Sequence, residues 1–194
     1  MIFLRKIFCA ILIIFGITLC SFSFYPLINL NRQVDNSIQQ WEKFKNDTHP
    51  SIENIEKNEQ EIENFKGLIG ILKISNFEKR IPIHIGIDNN TLNKGLGLDK
   101  LTHTPGEIGN SVIYGHRENI LWNLKYVNIG DELLIETIDN ELKYKIFDLQ
   151  VVSPDDPYIE AESEESIITL VTCYPFIYMG PTPERFVVKA RLMD

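Results

Sequence analysis

The hydrophobic and polar positions of this chain fall into three segments with different periodicity. From Ile7 to Asn31 no side chain is charged, and most are apolar. The next segment, to Phe65, is polar and carries apolar residues at helical spacing, whereas from Gly67 onward the apolar residues follow strand patterns. The sequence therefore predicts an apolar helix, a helical linker and a β-rich domain, in that order.

The pattern after Gly67 predicts an all-β domain. The clearest strand is 80–87, in which isoleucines occupy every second position from Ile81 to Ile87. Six more segments have the β-branched, apolar composition of strands: 68–74, 110–116, 132–138, 141–152, 167–173 and 185–192. Many strands and few helices indicate a barrel or a sandwich, and we favour a closed barrel because closure removes exposed sheet edges.

One or two short helices and a hairpin turn complete this domain. Residues 88–94 predict a helix that is capped by Asp88 and ends at Gly95. Residues 120–127 are the only other helix candidate within the domain. Asp139-Asn140 separates two predicted strands and is typical of a hairpin turn.

The apolar N-terminal segment predicts a membrane anchor. About 20 apolar residues suffice to cross a bilayer, and Arg5 and Lys6 precede the segment, which indicates a cytoplasmic N-terminus (1–6) and an anchor over 7–30. A cleaved signal peptide is the first alternative, but residues 21–24 form a poor cleavage site. A lipoprotein modified at Cys20 is a second alternative, which Leu19 disfavours.

The linker, 31–66, predicts two helical pieces. Its apolar residues include Val34, Ile38 and Trp41, and His49-Pro50 interrupts the helical pattern because the residue before proline is pushed out of the helical region. The linker is either a spacer or a helix that packs on the domain and regulates it.

Charge excludes one class of partner. The chain has 19 basic and 27 acidic residues, and without Arg5 and Lys6 the remainder has a formal charge of about −10. Nucleic-acid binding rests on basic side chains that neutralise phosphates, so no nucleic-acid partner is expected. The length after the linker allows one domain, 67–194.

Cys173 is the main candidate for chemistry. The other two cysteines, Cys9 and Cys20, lie in the apolar segment, so Cys173 has no pairing partner in an exported domain, where cysteines are normally paired. It closes the apolar run 169–173. A cysteine in this position either fills space in the core or is a reactive thiol.

Two further residues favour the reactive thiol. His116 ends one predicted strand and Cys173 ends another, while Arg185 begins the strand that returns after a Pro- and Gly-rich loop. In a small barrel all three could share one rim. A nearby His or Arg favours the thiolate form of a cysteine, and the trio would suit acyl transfer through a thioester.

These motifs resemble those of the sortases, the cysteine transpeptidases of Gram-positive bacteria. The resemblance rests on Thr-Leu-x-Thr-Cys at 169–173, Gly-His-Arg at 115–117 and Arg-Phe-Val-Val at 185–188, in that family's order and spacing. It covers about Gly67 to the C-terminus and is strongest to the class D branch. The pilin-polymerising class C enzymes carry an acidic-aromatic lid, whereas Asp35 and Asp47 lack the Pro-aromatic residues that would follow.

The resemblance implies an eight-stranded barrel and a role for each residue. Cys173 would attack a Leu-Pro-x-Thr-Gly-like (LPxTG) sorting signal on surface proteins, His116 would act as acid and base, and Arg185 would bind substrate and support the oxyanion. The acceptor would be a peptidoglycan-precursor amine. No cofactor is expected, and stimulation by a divalent cation is not expected from the sequence.

Three alternatives stay open. The chain could be a class C-like pilin polymerase, or a membrane-anchored cysteine peptidase that hydrolyses the thioester. Papain-like peptidases place Cys before His, the reverse of the order here. A non-enzymatic adhesion or scaffold domain with a buried Cys173 is the third alternative.

Minor candidates complete the expectations. His103 precedes a loop-like Thr-Pro-Gly and is interpreted as a solvated loop residue that could touch substrate. Arg117 either orients a loop or lies on the surface. The acidic run 155–165 could bind calcium, as such loops do in some sortases, but it lacks a defined ligand spacing, and we favour a solvated loop.

Overall fold

The computed structural model describes residues 2–47, 67–75, 77–118, 120–138, 140–177, 180 and 182–193. The predicted helical piece after His49-Pro50 and the turn residue Asp139 lie outside these residues. The described elements are helices α1 (Ile2–Asp47) and α2 (Asn89–Lys94), a 3-10 helix (Trp122–Tyr126), and strands β1 (Leu68–Ile74), β2 (Phe77–Ile85), β3 (Leu96–Leu98), β4 (Gly109–Tyr114), β5 (Glu132–Glu136), β6 (Glu141–Val152), β7 (Ser166–Tyr174) and β8 (Glu184–Leu192).

The eight strands form a closed barrel, which confirms the predicted architecture. The strand order around the barrel is β1-β2-β3-β4-β7-β8-β6-β5, and β5 pairs with β1 to close it. Two of the pairs, β2 with β3 and β4 with β7, are parallel, and the others are antiparallel. The parallel β4–β7 pair matters most for function, because the C-terminal ends of both strands lie at the same rim.

Strand β3 is the one element that the sequence pattern did not reveal. It has three residues, too few for a visible alternation. Its central residue must be glycine, because a Cβ atom on Gly97 would lie 2.2 Å from the carbonyl oxygen of Gly86. This close approach lets β3 pair with the end of β2.

The predicted helices are present, one of them in a tighter form. The Asp88 carboxylate accepts hydrogen bonds from the N–H groups of Asn90 and Thr91 at 3.0 and 3.1 Å, so Asp88 caps α2 as predicted. The predicted helix over 120–127 is the shorter 3-10 helix. The hairpin between β5 and β6 is closed by Thr137, whose N–H donates to the Asn140 carbonyl at 2.8 Å.

Side chains that alternate along the strands fill the barrel. Leu72, Ile83, Ile113, Leu170 and Val188 are completely buried in one interior cluster. Their neighbours in sequence point to the outer surface, as the two-residue period of a strand requires. Along β7 and β8, every second side chain therefore belongs to the core, and the side chains between them belong to the outer face.

The second half of α1 packs on the outside of the barrel. Trp41 is fully buried in a cluster with Leu68 and Ile71, and its indole N–H donates to the Glu136 carboxylate at 3.2 Å. The Lys45 ammonium lies 2.6 Å from the same carboxylate. Residues 34–45 thus lie against the domain, as the second interpretation of the linker requires, whereas the regulation in that interpretation stays a prediction.

The predicted membrane segment, 7–30, lies within α1, before the part that packs on the barrel. Over the part of the chain that the structure describes, no helix is both long and apolar enough to cross a membrane.

Candidate active site

Cys173 and Arg185 are direct partners in the antiparallel β7–β8 pair. Both side chains are half-buried. Directly opposite residues in such a pair hold their Cβ atoms about 5 Å apart. The neighbouring positions, Thr172 on β7 and the residue that follows Arg185 on β8, face the core. Because the direction of side chains alternates along each strand, Cys173 and Arg185 both lie on the outer face. The loop between the strands thus returns Arg185 to the thiol, as the sequence predicts.

His116 reaches the same rim on the parallel neighbour of β7. Tyr114, the last residue of β4, is paired with Val171, and two residues later each chain reaches His116 and Cys173 respectively. The Gly115 N–H donates to the Val171 carbonyl at 3.0 Å, and the Thr172 hydroxyl donates to the Gly115 carbonyl at 2.8 Å. These two bonds hold the segment that carries His116 at the level of Cys173.

Gly115 explains why histidine is preceded by glycine here. A Cβ atom at this position would lie 2.6 Å from Leu96 and 2.8 Å from Leu121, both of which are buried in the core. Position 115 therefore faces the interior, and His116, which follows it beyond the end of β4, is half-buried. The backbone thus brings His116, Cys173 and Arg185, which the sequence singled out, to one rim of the barrel.

Arg117 orients the loop that follows the cysteine. Its side chain is buried, and its guanidinium donates to the Pro175 carbonyl at 2.6 Å and to the Glu118 carboxylate at 3.0 Å. The bond to the Pro175 carbonyl joins the segment after His116 to the segment after Cys173. Of the two interpretations of Arg117, loop orientation is the one the structure supports.

The Arg185 guanidinium is directed by its own loop. It donates to the carbonyl of Glu184 at 3.0 Å and to that of Thr182 at 3.4 Å. Its charge also reaches Tyr114 on β4: burial raises the pKa of the Tyr114 hydroxyl, negative Glu160 and Asp99 raise it further, and Arg185 counteracts them. The permanent positive charge of Arg185 on β8 therefore acts across β7 on the end of β4.

An aromatic cluster is formed by residues that neighbour Cys173 and Arg185 in the chain, together with Trp122. The Phe176 ring contacts Phe186, Tyr174 and Trp122 at centroid distances of 5.4, 6.1 and 6.4 Å. Sequence reasoning missed this cluster, since Trp122 is far from Phe176 in the chain. The aromatic residues that directly follow Cys173 are the one signal that could have indicated it.

The outer surface next to the trio is apolar and is covered by the β6–β7 loop (residues 153–165). Val112, Val171 and Val187 form a buried cluster with Ile159 of this loop. Val171 and Val187 lie two positions from Cys173 and Arg185 on the same faces of β7 and β8. The β6–β7 loop therefore borders the face of the barrel that carries Cys173 and Arg185.

The remaining histidines have other environments. His103 is partly exposed, and its ring lies 3.6 Å from the Glu162 carboxylate of the β6–β7 loop. Burial, together with the charge of Lys94, lowers the pKa of His84 to about 4, so His84 is neutral at physiological pH. His49 lies outside the described residues. Among the residues that the structure describes, no cluster of His, Cys, Asp and Glu is arranged to hold a metal ion.

Comparison with known proteins identifies the family. The family model described as the sortase domain matches residues 72–193. Sortase D of Bacillus subtilis (strain 168) is 35% identical over 125 residues, which cover 63% of this chain and 62% of that protein. The match thus spans less than two thirds of that relative's length.

Solved structures give the same assignment. A Sortase D5 transpeptidase of Clostridium perfringens has a TM-score of 0.63 and 29% identity, covering 79% of this chain and 95% of that one. Sortase C of Streptococcus pneumoniae has a TM-score of 0.61 and 26% identity, covering 66% of this chain and 67% of that one. Both the class D and the class C branch are represented among these relatives.

Proposed function

The chain belongs to the sortase family of cysteine transpeptidases, and on this premise we propose that it cleaves an LPxTG-like sorting signal and transfers the protein to a cell-wall amine. The observation that carries this proposal is the arrangement of three segments at one rim: Cys173 is opposite Arg185 on β7 and β8, and His116 follows Gly115, which is hydrogen-bonded to β7 just after the end of β4.

The proposed first step is acylation of the thiol. His116 takes the thiol proton while the Cys173 sulfur attacks the carbonyl carbon of the threonine in the sorting signal, and Arg185 stabilises the negative charge that develops on the carbonyl oxygen. His116 donates a proton to the departing amine as the carbon–nitrogen bond breaks. The product is a thioester between Cys173 and the surface protein, with the C-terminal fragment released.

The second step transfers the acyl group. An amine attacks the thioester carbonyl, His116 accepts the amine proton, and the carbon–sulfur bond breaks as that proton passes to the sulfur and restores the thiol. The new amide joins the surface protein to the acceptor. This acceptor is a peptidoglycan-precursor amine, and no metal or organic cofactor takes part in either step.

Membrane anchoring is part of the proposal. Its support is compositional: no side chain is charged from Ile7 to Asn31, and Arg5 and Lys6 precede this stretch. In the proposed arrangement the N-terminus is cytoplasmic and the barrel is extracellular. The enzyme then meets lipid-linked precursors in its own plane.

Thioester trapping tests the proposed chemistry. The full chain is incubated with an LPxTG-like peptide in the absence of an amine, and its intact mass is measured. We expect an acyl adduct that maps to Cys173 and is absent from Cys173→Ala. Cys20→Ala is the matched control, because Cys20 is also a free cysteine and should leave the adduct unchanged. An adduct that persists in Cys173→Ala would refute the proposal.

A further inference from the structure

The β6–β7 loop is fastened by a buried amide on the histidine-bearing strand. Asn110 on β4 is only 3% exposed, and its side-chain NH₂ donates to the carbonyls of Ile159 and Ala161 at 2.9 and 3.0 Å. Both donor hydrogens of one amide are therefore used to hold two positions of the loop. A buried side chain that meets two loop carbonyls in this way fixes the backbone between them.

Thr169 on the cysteine-bearing strand fixes the direction of this amide. Its hydroxyl is fully buried and donates to the Asn110 side-chain oxygen at 2.7 Å. Because the oxygen of the amide accepts from Thr169, the NH₂ group is turned toward the loop. The network thus links the loop to β4, six residues before His116, and to β7, four residues before Cys173.

The clamped segment is the part of the loop that faces the active site. Ile159 is 2% exposed and packs on Val171 and Val187, next to the thiol and the guanidinium. Glu160 lies between the two clamped carbonyls, and its charge acts on Tyr114, which Arg185 also reaches. The backbone that carries an apolar and an acidic side chain is therefore held beside the site.

We propose that Asn110 is a positioning residue for substrate binding: its amide holds the β6–β7 loop as a pre-formed wall of the groove that leads to Cys173. This inference rests on the proposed function for the identity of the substrate, but the clamp itself rests on the hydrogen bonds alone. A wall that is already ordered spares the peptide the entropic cost of ordering it on binding. Asn110 therefore acts on the affinity for the sorting signal and leaves the chemical step unchanged.

A second attachment holds the loop from its other side. The Tyr158 hydroxyl donates to the Asp148 carboxylate on β6, and the buried Lys189 ammonium lies 4.1 Å from the centre of the Tyr158 ring. This contact fixes the residue just before the clamped segment. It makes partial release of the loop, with the barrel intact, the expected result of losing Asn110.

The test compares Asn110→Ala with a matched control in the full chain. Asn128→Ala is that control, because the Asn128 amide also donates to a backbone carbonyl, that of Tyr126 at 3.3 Å, in a different loop. We expect hydrogen exchange of amides in 156–161 to accelerate about tenfold or more in Asn110→Ala, since each lost bond contributes about 1 kcal/mol. The control should leave exchange in this loop unchanged.

Kinetics separate a wall of the groove from a purely structural clamp. For Asn110→Ala we expect KM for an LPxTG-like peptide to rise about tenfold, with kcat within threefold and the rate of Cys173 alkylation by iodoacetamide unchanged. Unchanged loop exchange would overturn the clamp. Faster exchange with an unchanged KM would overturn the claim that the loop forms the groove wall.

Two further outcomes are decided in advance. If Asn110→Ala does not fold, Thr169→Val replaces it, because this variant removes only the bond that orients the amide. Loop exchange and KM are then both expected to rise. If either of the two stays unchanged, the proposal is overturned. If no sorting peptide forms a thioester with the wild-type chain, the proposed function fails. The exchange measurement then still decides whether Asn110 holds the loop.

Discussion

Cys173 and Arg185 face each other directly across the β7–β8 pair, so the nucleophile and the permanent positive charge are held by one register of one hairpin. Neither residue depends on a flexible loop for its backbone position. A slip of either strand by one residue would turn its own side chain, Cys173 or Arg185, into the barrel and expose its core residues, which the core packing opposes. The hairpin is therefore the rigid half of the proposed active site.

The planar fork of Arg185 is expected to be essential. Arg185→Lys keeps the charge but loses the fixed pair of donors that an arginine offers to a carbonyl and a developing oxyanion. We expect kcat/KM for an LPxTG-like peptide to fall by about 10²-fold or more, which is the usual effect of losing an oxyanion donor. Near wild-type rates for Arg185→Lys would remove Arg185 from the mechanism.

The position of His116 is expected to depend on Thr172. Thr172→Val removes the 2.8 Å bond to the Gly115 carbonyl while preserving the shape of a buried side chain. We expect thioester formation to slow about tenfold, less than the roughly 10²–10⁴-fold loss expected for His116→Ala. Stopped-flow acylation measures both variants. Equal rates for Thr172→Val and wild type would show that this bond does not align His116.

The contact between α1 and the barrel is expected to weaken at acidic pH, because Trp41 and Lys45 of α1, together with Lys73 of β1, bind the Glu136 carboxylate. Burial favours a raised pKa for Glu136, but hydrogen bonds from Lys45, Lys73 and Trp41 outweigh it and lower the pKa of Glu136 to about 2. The ordinary value is 4.5, so the stabilisation is complete above pH 4.5 and is lost as the pH falls toward 2. The shift corresponds to roughly 3 kcal/mol.

Glu136→Gln isolates this contribution. The variant should unfold at a lower temperature than wild type at pH 7, because three donors lose a charged acceptor. The difference in thermal midpoint should shrink between pH 4.5 and 2, as protonation removes the charge from the wild type as well. A difference that is independent of pH would contradict the assigned role of Glu136.

Truncation tests how much α1 stabilises the barrel. Residues 67–194 should fold into a β-rich domain, but with a thermal midpoint about 5–15 °C below that of residues 32–194, since Trp41 no longer covers Leu68 and Ile71. Circular dichroism and thermal melts measure both properties. A mainly helical spectrum for 67–194 would refute an independent barrel, and equal midpoints would refute a stabilising helix.

The sequence predicted the barrel and the trio because both depend on local patterns. Seven strands are long enough to show their alternation. The shared rim of the trio can be predicted from the order of the strands, because each of the three residues lies at the end of a predicted strand. The short β3 escaped prediction because its pairing depends on the close approach of Gly97 to Gly86, a contact between segments rather than a pattern within one.

Long-range polar contacts could not be predicted from the sequence for the same reason. Asn110 reads as an ordinary polar residue at the start of a strand, and its bonds to Ile159 and Ala161 span about 50 residues. The buried bond from Arg117 to Pro175 is likewise invisible in a linear pattern. Residues that position other residues are therefore the ones that only the structure identifies.

Transfer to an amine is the measurement that tests the central claim most directly. The full chain is given an LPxTG-like peptide with and without an amine acceptor, and the products are identified by mass spectrometry. We expect slow turnover and a Cys173 thioester with peptide alone, and faster turnover with an amide product at the threonine carbonyl when the amine is present. Fast hydrolysis that amines neither accelerate nor divert would contradict the account and identify the chain as a peptidase.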